Sequence, residues 1–227
     1  MNNPLHNQQI VLAEHPSDTP TKNTFGFNNI EIPQIGKGQV LLKSLYISVD
    51  PGMRGFMDKG EDDAAGLKFE LNKPITSRSV AQVIESKHED FPKGTIVHAR
   101  LAWKKYQLGE TDHLEKVNPD LAPISTAVSI LGIPGLAAYF GMEKIGKPKK
   151  AETVVVSGAA GAVGSVAVQL AKFHECNVIG IAGSDAKIEF LEKDLGIDKG
   201  IKYKKVSTMK QAIKEACPNG VDVFLTM

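Results

Sequence analysis

The chain has 227 residues, of which 42% are hydrophobic and 23% charged, and its formal net charge is +1. This composition is typical of a soluble globular protein with one large or two smaller domains, and it gives no electrostatic reason to expect nucleic acid as a partner. Two cysteines are too few for a disulfide scaffold, and the sequence has neither a signal peptide pattern nor an apolar run of about 18 residues that could span a membrane. We therefore expect a cytoplasmic protein with no membrane partner.

Residues 1–123 are predicted to form a small β-rich domain. Three segments in this region are rich in β-branched and apolar residues, and each is flanked by turn residues. These segments are 39–49, 79–86 and 94–100. No long helical period of apolar residues lies between these segments. Short strands at this spacing are typical of a small sheet or barrel.

Residues 124–227 are predicted to alternate between strands and helices. The predicted strands are 153–158, 177–184, 199–203 and 221–225, and the helices between them are 164–174, 184–196 and 207–220. Ser184 and Ser207 are expected to cap the second and third helices, and Gly196 is expected to follow the end of the second. This alternation predicts an α/β domain with a parallel sheet and right-handed crossovers.

A glycine-rich turn joins the first of these strands to the first helix. Gly158, Gly161 and Gly164 have the spacing G-x-x-G-x-x-G. The amino end of a helix offers unpaired N–H groups and a positive dipole end to a pyrophosphate, and small residues let the backbone approach the phosphates. The pattern therefore predicts dinucleotide binding at Gly161, Ala162, Val163 and Gly164. The alternative is a tight strand-to-helix turn with no ligand.

The end of the second strand bears on which dinucleotide is bound. NAD sites usually place an acidic side chain there for the ribose 2′-hydroxyl. This strand ends instead in Ala182, Gly183 and Ser184, and Lys187 follows in the first turn of the next helix. A small strand end with a nearby cation favours a 2′-phosphate and hence NADP(H). Asp185 argues weakly for NAD, although an acid at a helix start is ordinary, and Lys187 could equally be a solvated lysine.

The sequence lacks the residues that a zinc site needs. Catalytic zinc requires thiolate or imidazole ligands, and structural zinc usually requires clustered cysteines. Residues 1–150 contain no cysteine, and His88, His98 and His113 have no ligand-like spacing. There is also no G-x-S-x-G nucleophile motif and no Walker lysine. We expect no metal ion in the site.

Several segments resemble one known family. The β-rich first part, the nucleotide-binding pattern behind it and the absence of zinc ligands are together similar to the medium-chain dehydrogenase/reductase superfamily. The resemblance narrows to its zinc-independent prostaglandin and alkenal/one reductases, and it covers nearly the whole chain. Three segments are the most specific: "SVDPGMR" at 48–54, "GIPGLAAYFG" at 132–141 and "AAGAVGSV" at 159–166.

The resemblance implies a GroES-like β-barrel domain followed by a Rossmann-type doubly wound parallel sheet. It implies an NADP(H)-dependent oxidoreductase that reduces the carbon–carbon double bond of an α,β-unsaturated ketone or aldehyde by hydride transfer to the β-carbon. The substrate would be an oxidised eicosanoid or an alkenal, in prostaglandin, lipid and fatty acid metabolism. By the same resemblance, Lys187 and Tyr203 join the glycine turn as cofactor contacts, Arg54 and Tyr139 belong to the substrate pocket, and the protein can form a homodimer.

The chain departs from the family pattern at three places. Gly52 stands where relatives have a pocket tyrosine, and Ala137 stands where they have a threonine, so the resemblance does not fix the substrate preference. Family members also continue beyond the fourth strand of the sheet. The resemblance therefore implies an incomplete Rossmann sheet, truncated at its C-terminal end, with the catalytic residues outside the chain. A quinone reductase of the same superfamily and a catalytically inactive NADP-binding remnant are the alternatives.

Overall fold

The chain folds into two compact units. A computed structural model describes residues 6–60 and 68–226, and residues 1–5, 61–67 and Met227 lie outside that description. The first unit extends to Val128 and the second begins at Ser129. The segment Ile124–Val128, which the sequence analysis assigned to the second domain, forms a 3₁₀ turn that packs on strands of the first unit.

The first unit is built almost entirely from β-strands. Its described strands and helix are β1 (Asn7–Leu12), β2 (Phe25–Ile30), β3 (Val40–Ile47), α1 (Met53–Phe56), β4 (Thr76–Ser86), β5 (Ile96–Ala102), β6 (Tyr106–Gly109) and β7 (Glu115–Lys116). Strands β6-β3-β4-β5-β7 form an antiparallel sheet in that order, and β1 pairs with β2. The three strands predicted from the sequence are β3, β4 and β5.

Alternating side chains create the core of the first unit. In β3, Val40 and Leu42 are fully buried, and Val83 of β4 and Val97 of β5 pack with them in one apolar cluster. Successive side chains of a strand point to opposite faces, so a period of two places one set of residues in the core. A second cluster includes the buried Trp103, whose indole N–H donates to Ser77 Oγ at 2.8 Å.

The second unit alternates between strands and helices as predicted. Its described elements are α2 (Ile133–Tyr139), β8 (Thr153–Val156), α3 (Ala162–Phe173), β9 (Asn177–Ala182), α4 (Asp185–Glu189), β10 (Lys199–Lys202), α5 (Met209–Ala216) and β11 (Val223–Leu225). Helix α2 continues into a π-helical segment, Phe140–Gly146, and α4 continues into another, Phe190–Asp194.

The four strands of the second unit form a parallel sheet in the order β10-β9-β8-β11. Val154 and Val156 point to the face covered by α3, whereas Val155 points to the face covered by α5. All three valines are fully buried, which explains why β8 is apolar throughout rather than alternating. The predicted fold class, an α/β chain with a β-rich first part and a doubly wound parallel sheet, is confirmed.

One predicted helix cap is wrong and one is confirmed. Ser184 caps α4 by accepting a hydrogen bond from the Lys187 N–H. Helix α5, however, begins after Thr208, whose hydroxyl accepts from the Gln211 N–H at 3.3 Å, and not after Ser207. Thr208 has the extended backbone that a cap residue requires, so its hydroxyl and not its neighbour's faces the free N–H groups. Within the described ranges, no helix is long and apolar enough to cross a membrane.

Candidate functional site

The glycine-rich turn between β8 and α3 is tightly folded. Gly158 has a φ of 56°, a left-handed conformation that favours glycine. The Gly161 N–H donates to the Gly158 carbonyl at 2.8 Å and closes the turn. A Cβ on Gly164 would lie 2.4 Å from the same carbonyl oxygen and 2.7 Å from Ala159 Cα, so the helix approaches the strand closely only because Gly164 has no side chain.

The amino end of α3 is open to a ligand. Gly161 is the residue before the helix, and no side chain caps the free N–H groups of the first turn, which contains Ala162, Val163 and Gly164. The first backbone N–H groups of a helix have no partner within it, and the helix dipole makes this end positive. Such an end can bind a phosphate group.

A second close contact lies at the end of β9. Gly183 follows the strand, and a Cβ on it would lie 2.9 Å from the hydroxyl oxygen of Tyr203. Tyr203 follows β10, the neighbouring strand, and is half exposed. The missing side chain of Gly183 thus makes room for the tyrosine ring beside the strand end. The small residues at this strand end are evident in the sequence, whereas the contact between Gly183 and Tyr203 is not, because it joins two different strands.

These strand ends enclose a cleft of about 340 Å³ in the second unit. It lies at the carboxyl ends of β8, β9 and β10, where ligands bind in open parallel sheets. Seven of its lining residues stood out in the sequence: Gly158, Gly161, Ala182, Gly183, Ser184, Lys187 and Tyr203. The other predicted cofactor contacts, Ala162, Val163 and Gly164, do not line it. Lys204 also lines the cleft, and sequence reasoning missed it. The sequence feature that could have indicated Lys204 is its position directly after Tyr203.

Some of the described charged side chains around the cleft form ion pairs, and others do not. Asp185 Oδ2 lies 2.5 Å from Lys202 Nζ, and its Oδ1 lies 3.2 Å from Lys205 Nζ. Hydrogen bonds from Lys202 and then Lys205 lower the pKa of the Asp185 carboxyl, which therefore stays ionised. In the part of the chain that the structure describes, neither Lys187 nor Lys204 lies within ion-pair distance of a carboxylate. Two unpaired ammonium groups beside an open helix end can hold an anionic ligand.

The two residues expected at the substrate side lie in different units. Arg54, in α1, donates to the carbonyls of Asp18 and Pro16 at 2.6 and 3.1 Å and forms an ion pair with Asp58. Tyr139, at the end of α2, is partly exposed, and the Lys144 ammonium lies 5.7 Å from its ring centroid. The contacts of Arg54 within its own unit give it a structural role, and a role of either residue in a substrate pocket stays a prediction.

Comparison with known proteins agrees with this architecture. Residues 8–117 match a family described as the N-terminal domain of oxidoreductase, and residues 162–227 match one described as zinc-binding dehydrogenase. The fold, the strand-end cleft and the two family matches show that the chain belongs to the medium-chain dehydrogenase/reductase superfamily.

Three known proteins are similar to this chain over most of its length. Prostaglandin reductase 1 of Mus musculus is 42% identical over 94% of this chain and 63% of its own length. The NADP(+)-dependent 2-alkenal reductase of Nicotiana tabacum is 36% identical over 97% of this chain and 65% of its own length. The crystal structure of CurA from Vibrio vulnificus in complex with NADPH is 35% identical and superimposes with a TM-score of 0.86, covering 96% of this chain and 64% of CurA. The chain therefore spans slightly less than two thirds of the length of these relatives.

The name of the second family raises the question of zinc. Zinc sites in proteins are built from cysteine, histidine and carboxylate ligands that converge on one point. Among residues 6–60 and 68–226, no group of three or more such side chains could hold a metal ion. The two cysteines, Cys176 and Cys217, are each buried in apolar clusters on different faces of the sheet. The described residues therefore do not fit a zinc ion.

Proposed function

We propose that this protein is an NADPH-dependent reductase of carbon–carbon double bonds conjugated to a carbonyl. The observation that supports this most directly is the cleft at the ends of β8, β9 and β10, with an uncapped helix on one side and two unpaired lysines on the other. The relatives named for NADP dependence and the structure solved with NADPH support the choice of cofactor.

The proposed binding mode assigns a role to each predicted contact. Gly161, Ala162, Val163 and Gly164 would hold the pyrophosphate through backbone N–H groups, because a helix amino end with small residues lets the phosphates approach. Lys187 would pair with the 2′-phosphate. Tyr203, Lys187 and Lys204 lie around the same cleft, so the tyrosine hydroxyl and the second ammonium could complete the phosphate contacts.

The proposed chemistry follows from the names of the relatives, which include a prostaglandin reductase and a 2-alkenal reductase. NADPH, when bound, supplies the hydride that adds to the β-carbon of the enone. The protein must then orient the substrate, stabilise the negative charge on the enolate oxygen and allow protonation of the α-carbon. We assign no catalytic residue among the described side chains, and Arg54 and Tyr139 are the proposed contributors to the substrate pocket.

The finer assignments are also proposals. A substrate from prostaglandin or fatty acid metabolism, a cytoplasmic location and a homodimer all rest on the resemblance to relatives. Light scattering coupled to gel filtration measures the oligomeric state directly. A mass of twice that of the 24.5 kDa chain is expected for a dimer, whereas the mass of one chain would contradict it.

Turnover with matched substrates tests the proposed activity. The purified chain is incubated with NADPH and either a 2-alkenal or a para-quinone, and both NADPH consumption and the organic product are measured. We expect the alkenal to be reduced to the saturated aldehyde. NADPH consumption with the quinone alone would favour the quinone reductase alternative. Binding of NADPH without turnover of either substrate would indicate an inactive cofactor-binding protein.

A further inference from the structure

Asp185 lies where it could oppose the proposed cofactor choice. It directly follows Ser184, which lines the cleft, and it occupies the first turn of α4. An acidic side chain close to the end of the second strand is the group that recognises the ribose 2′-hydroxyl in NAD sites. A free carboxylate at this place would therefore favour NAD and repel a 2′-phosphate.

Two lysines, one at the end of β10 and one in the 3₁₀ turn that follows it, form ion pairs with this carboxylate. Lys202 is the last residue of β10 and pairs with Ala182, the last residue of β9, so the parallel register brings it to the start of α4. Its Nζ lies 2.5 Å from Asp185 Oδ2, and Lys205 Nζ lies 3.2 Å from Oδ1. Asp185 and these two lysines do not line the cleft, whereas the neighbouring Ser184 does. Both carboxylate oxygens are thus engaged outside the cleft.

The burial of Lys202 strengthens this arrangement. Its side chain is only 19% exposed, whereas that of Lys205 is 67% exposed. The Asp185 carboxylate is 72% exposed, so water screens both ion pairs, and the pair with the closer and less exposed Lys202 is screened less. Lys202 is therefore the main partner of Asp185, and Lys205 is the auxiliary one.

We propose that Lys202 and Lys205 are specificity-determining residues that act through Asp185. By holding its carboxylate, they suppress an NAD-type contact and leave Lys187 and Lys204 free to bind a 2′-phosphorylated adenosine. This inference rests on the proposed function, because it assumes that the cleft binds the adenosine end of NADPH. Lys202 and Lys205 are positioning residues in this scheme and make no contact with the cofactor.

The test measures calorimetric affinity for 2′,5′-ADP and for 5′-ADP, two adenosine ligands that differ only in the 2′-phosphate. The variant Lys202→Met/Lys205→Met frees the carboxylate. We expect its affinity for 2′,5′-ADP to fall about tenfold, because the freed carboxylate repels the 2′-phosphate, while its affinity for 5′-ADP should be unchanged or higher.

Adding Asp185→Asn to the double variant separates the two roles that the lysines could have. If the lysines act through Asp185, the triple variant regains most of the lost 2′,5′-ADP affinity, and Asp185→Asn alone stays close to wild type. If the triple variant binds as weakly as the double variant, the lysines act on the phosphate directly and the inference is wrong. This comparison is a double-mutant cycle, which isolates the coupling between the residues.

A matched control removes two lysines elsewhere in the second unit. Lys150 pairs with Glu175 at 2.7 Å and Lys193 pairs with Glu189 at 2.6 Å, and neither lysine lines the cleft. The variant Lys150→Met/Lys193→Met changes the net charge by the same amount and frees two carboxylates, whereas the test variant frees one. Its preference for 2′,5′-ADP should equal that of wild type. An equal loss in this control would show a general charge effect and overturn the inference.

The outcomes also separate this inference from the proposed function. If wild type does not prefer 2′,5′-ADP over 5′-ADP, the proposed NADPH site fails, and the inference fails with it. If wild type prefers 2′,5′-ADP and the double variant keeps the full preference, only the inference fails. Circular dichroism checks the fold of each variant. Should the double variant not fold, Lys205→Met with and without Asp185→Asn gives the same comparison at an exposed position, with a smaller expected loss.

Discussion

At the residue scale, two glycines shape the cleft by leaving space for other atoms. Gly164 lets α3 approach the turn after β8, where a Cβ would meet backbone atoms at 2.4 and 2.7 Å. Gly183 lets the Tyr203 ring lie beside the end of β9, where a Cβ would meet side-chain atoms at 2.9–3.1 Å. Backbone atoms cannot move aside as a side chain can, so substitutions at these two positions should have different consequences.

Gly164→Ala should lower the free energy of unfolding by about 1–3 kcal/mol, because the added methyl group overpacks a contact between backbone atoms. Urea denaturation measures this change. Gly55→Ala is the matched control, since a Cβ there meets nothing within 4 Å, and it should leave the stability unchanged or slightly higher. Equal stability of wild type and Gly164→Ala would contradict the packing described for this turn.

Gly183→Ala should leave the free energy of unfolding within about 1 kcal/mol of wild type, because the flexible Tyr203 side chain can move away. The affinity for 2′,5′-ADP should fall, since the tyrosine would no longer lie at the cleft. The variant Tyr203→Phe separates the contribution of the ring to binding from that of the hydroxyl group. If the phenolic oxygen contacts the phosphate, this variant also weakens 2′,5′-ADP binding. A Gly183→Ala variant with unchanged affinity for 2′,5′-ADP would show that Tyr203 does not contribute to the proposed site.

At the element scale, the sequence predicted most of the second unit because local patterns determine it. The valines of β8, the glycine turn and the Ser184 cap each depend on residues close in the chain. The cap of α5 was missed because Ser207 and Thr208 are adjacent hydroxyl residues, and only the backbone angles decide which one faces the helix. Strand β2 was missed because its sequence, "FGFNNI", contains a glycine and two asparagines, which are uncommon in strands.

Thr208→Ala should lower the free energy of unfolding by about 1 kcal/mol, the usual cost of losing a helix cap. Ser207→Ala should have almost no effect, because Ser207 precedes the cap residue and is exposed. Urea denaturation of the two variants side by side measures the difference. A larger loss for Ser207→Ala than for Thr208→Ala would mean that the helix begins one residue earlier.

At the scale of the whole molecule, the site arises where distant segments meet. Asp185 is separated from Lys202 and Lys205 by 17 and 20 residues, and only the parallel pairing of β9 with β10 brings these side chains together. Spacing in the sequence therefore could not predict the ion pairs. It did predict that the glycine turn and Lys187 lie near strand ends, because both are close in the chain to those ends, and their contact with a cofactor stays a prediction. The roles of Arg54 and Tyr139 depend on long-range contacts and remain predictions.

The two cysteines report on the stability of the whole second unit. Burial raises the pKa of the Cys176 and Cys217 thiols, so less of the reactive thiolate is present at a given pH than for a free cysteine. Both thiols should react with iodoacetamide only when the unit opens. NADPH at about 100 times its Kd should slow labelling about 100-fold if opening is global, because ligand binding stabilises the folded state by mass action. Labelling that NADPH does not slow would mean that local opening exposes the thiols while the cofactor stays bound, or that NADPH does not bind.

The central claim is that the cleft at the ends of β8, β9 and β10 binds the adenosine end of NADPH. Calorimetric titration of the 227-residue chain with NADPH and, in parallel, with NADH tests it most directly. The account predicts saturable binding of NADPH that is at least about tenfold tighter than that of NADH, a difference of roughly 1.4 kcal/mol in binding free energy. Equal or tighter binding of NADH would contradict a 2′-phosphate site in the cleft, and binding of neither cofactor would contradict the assignment of the cleft.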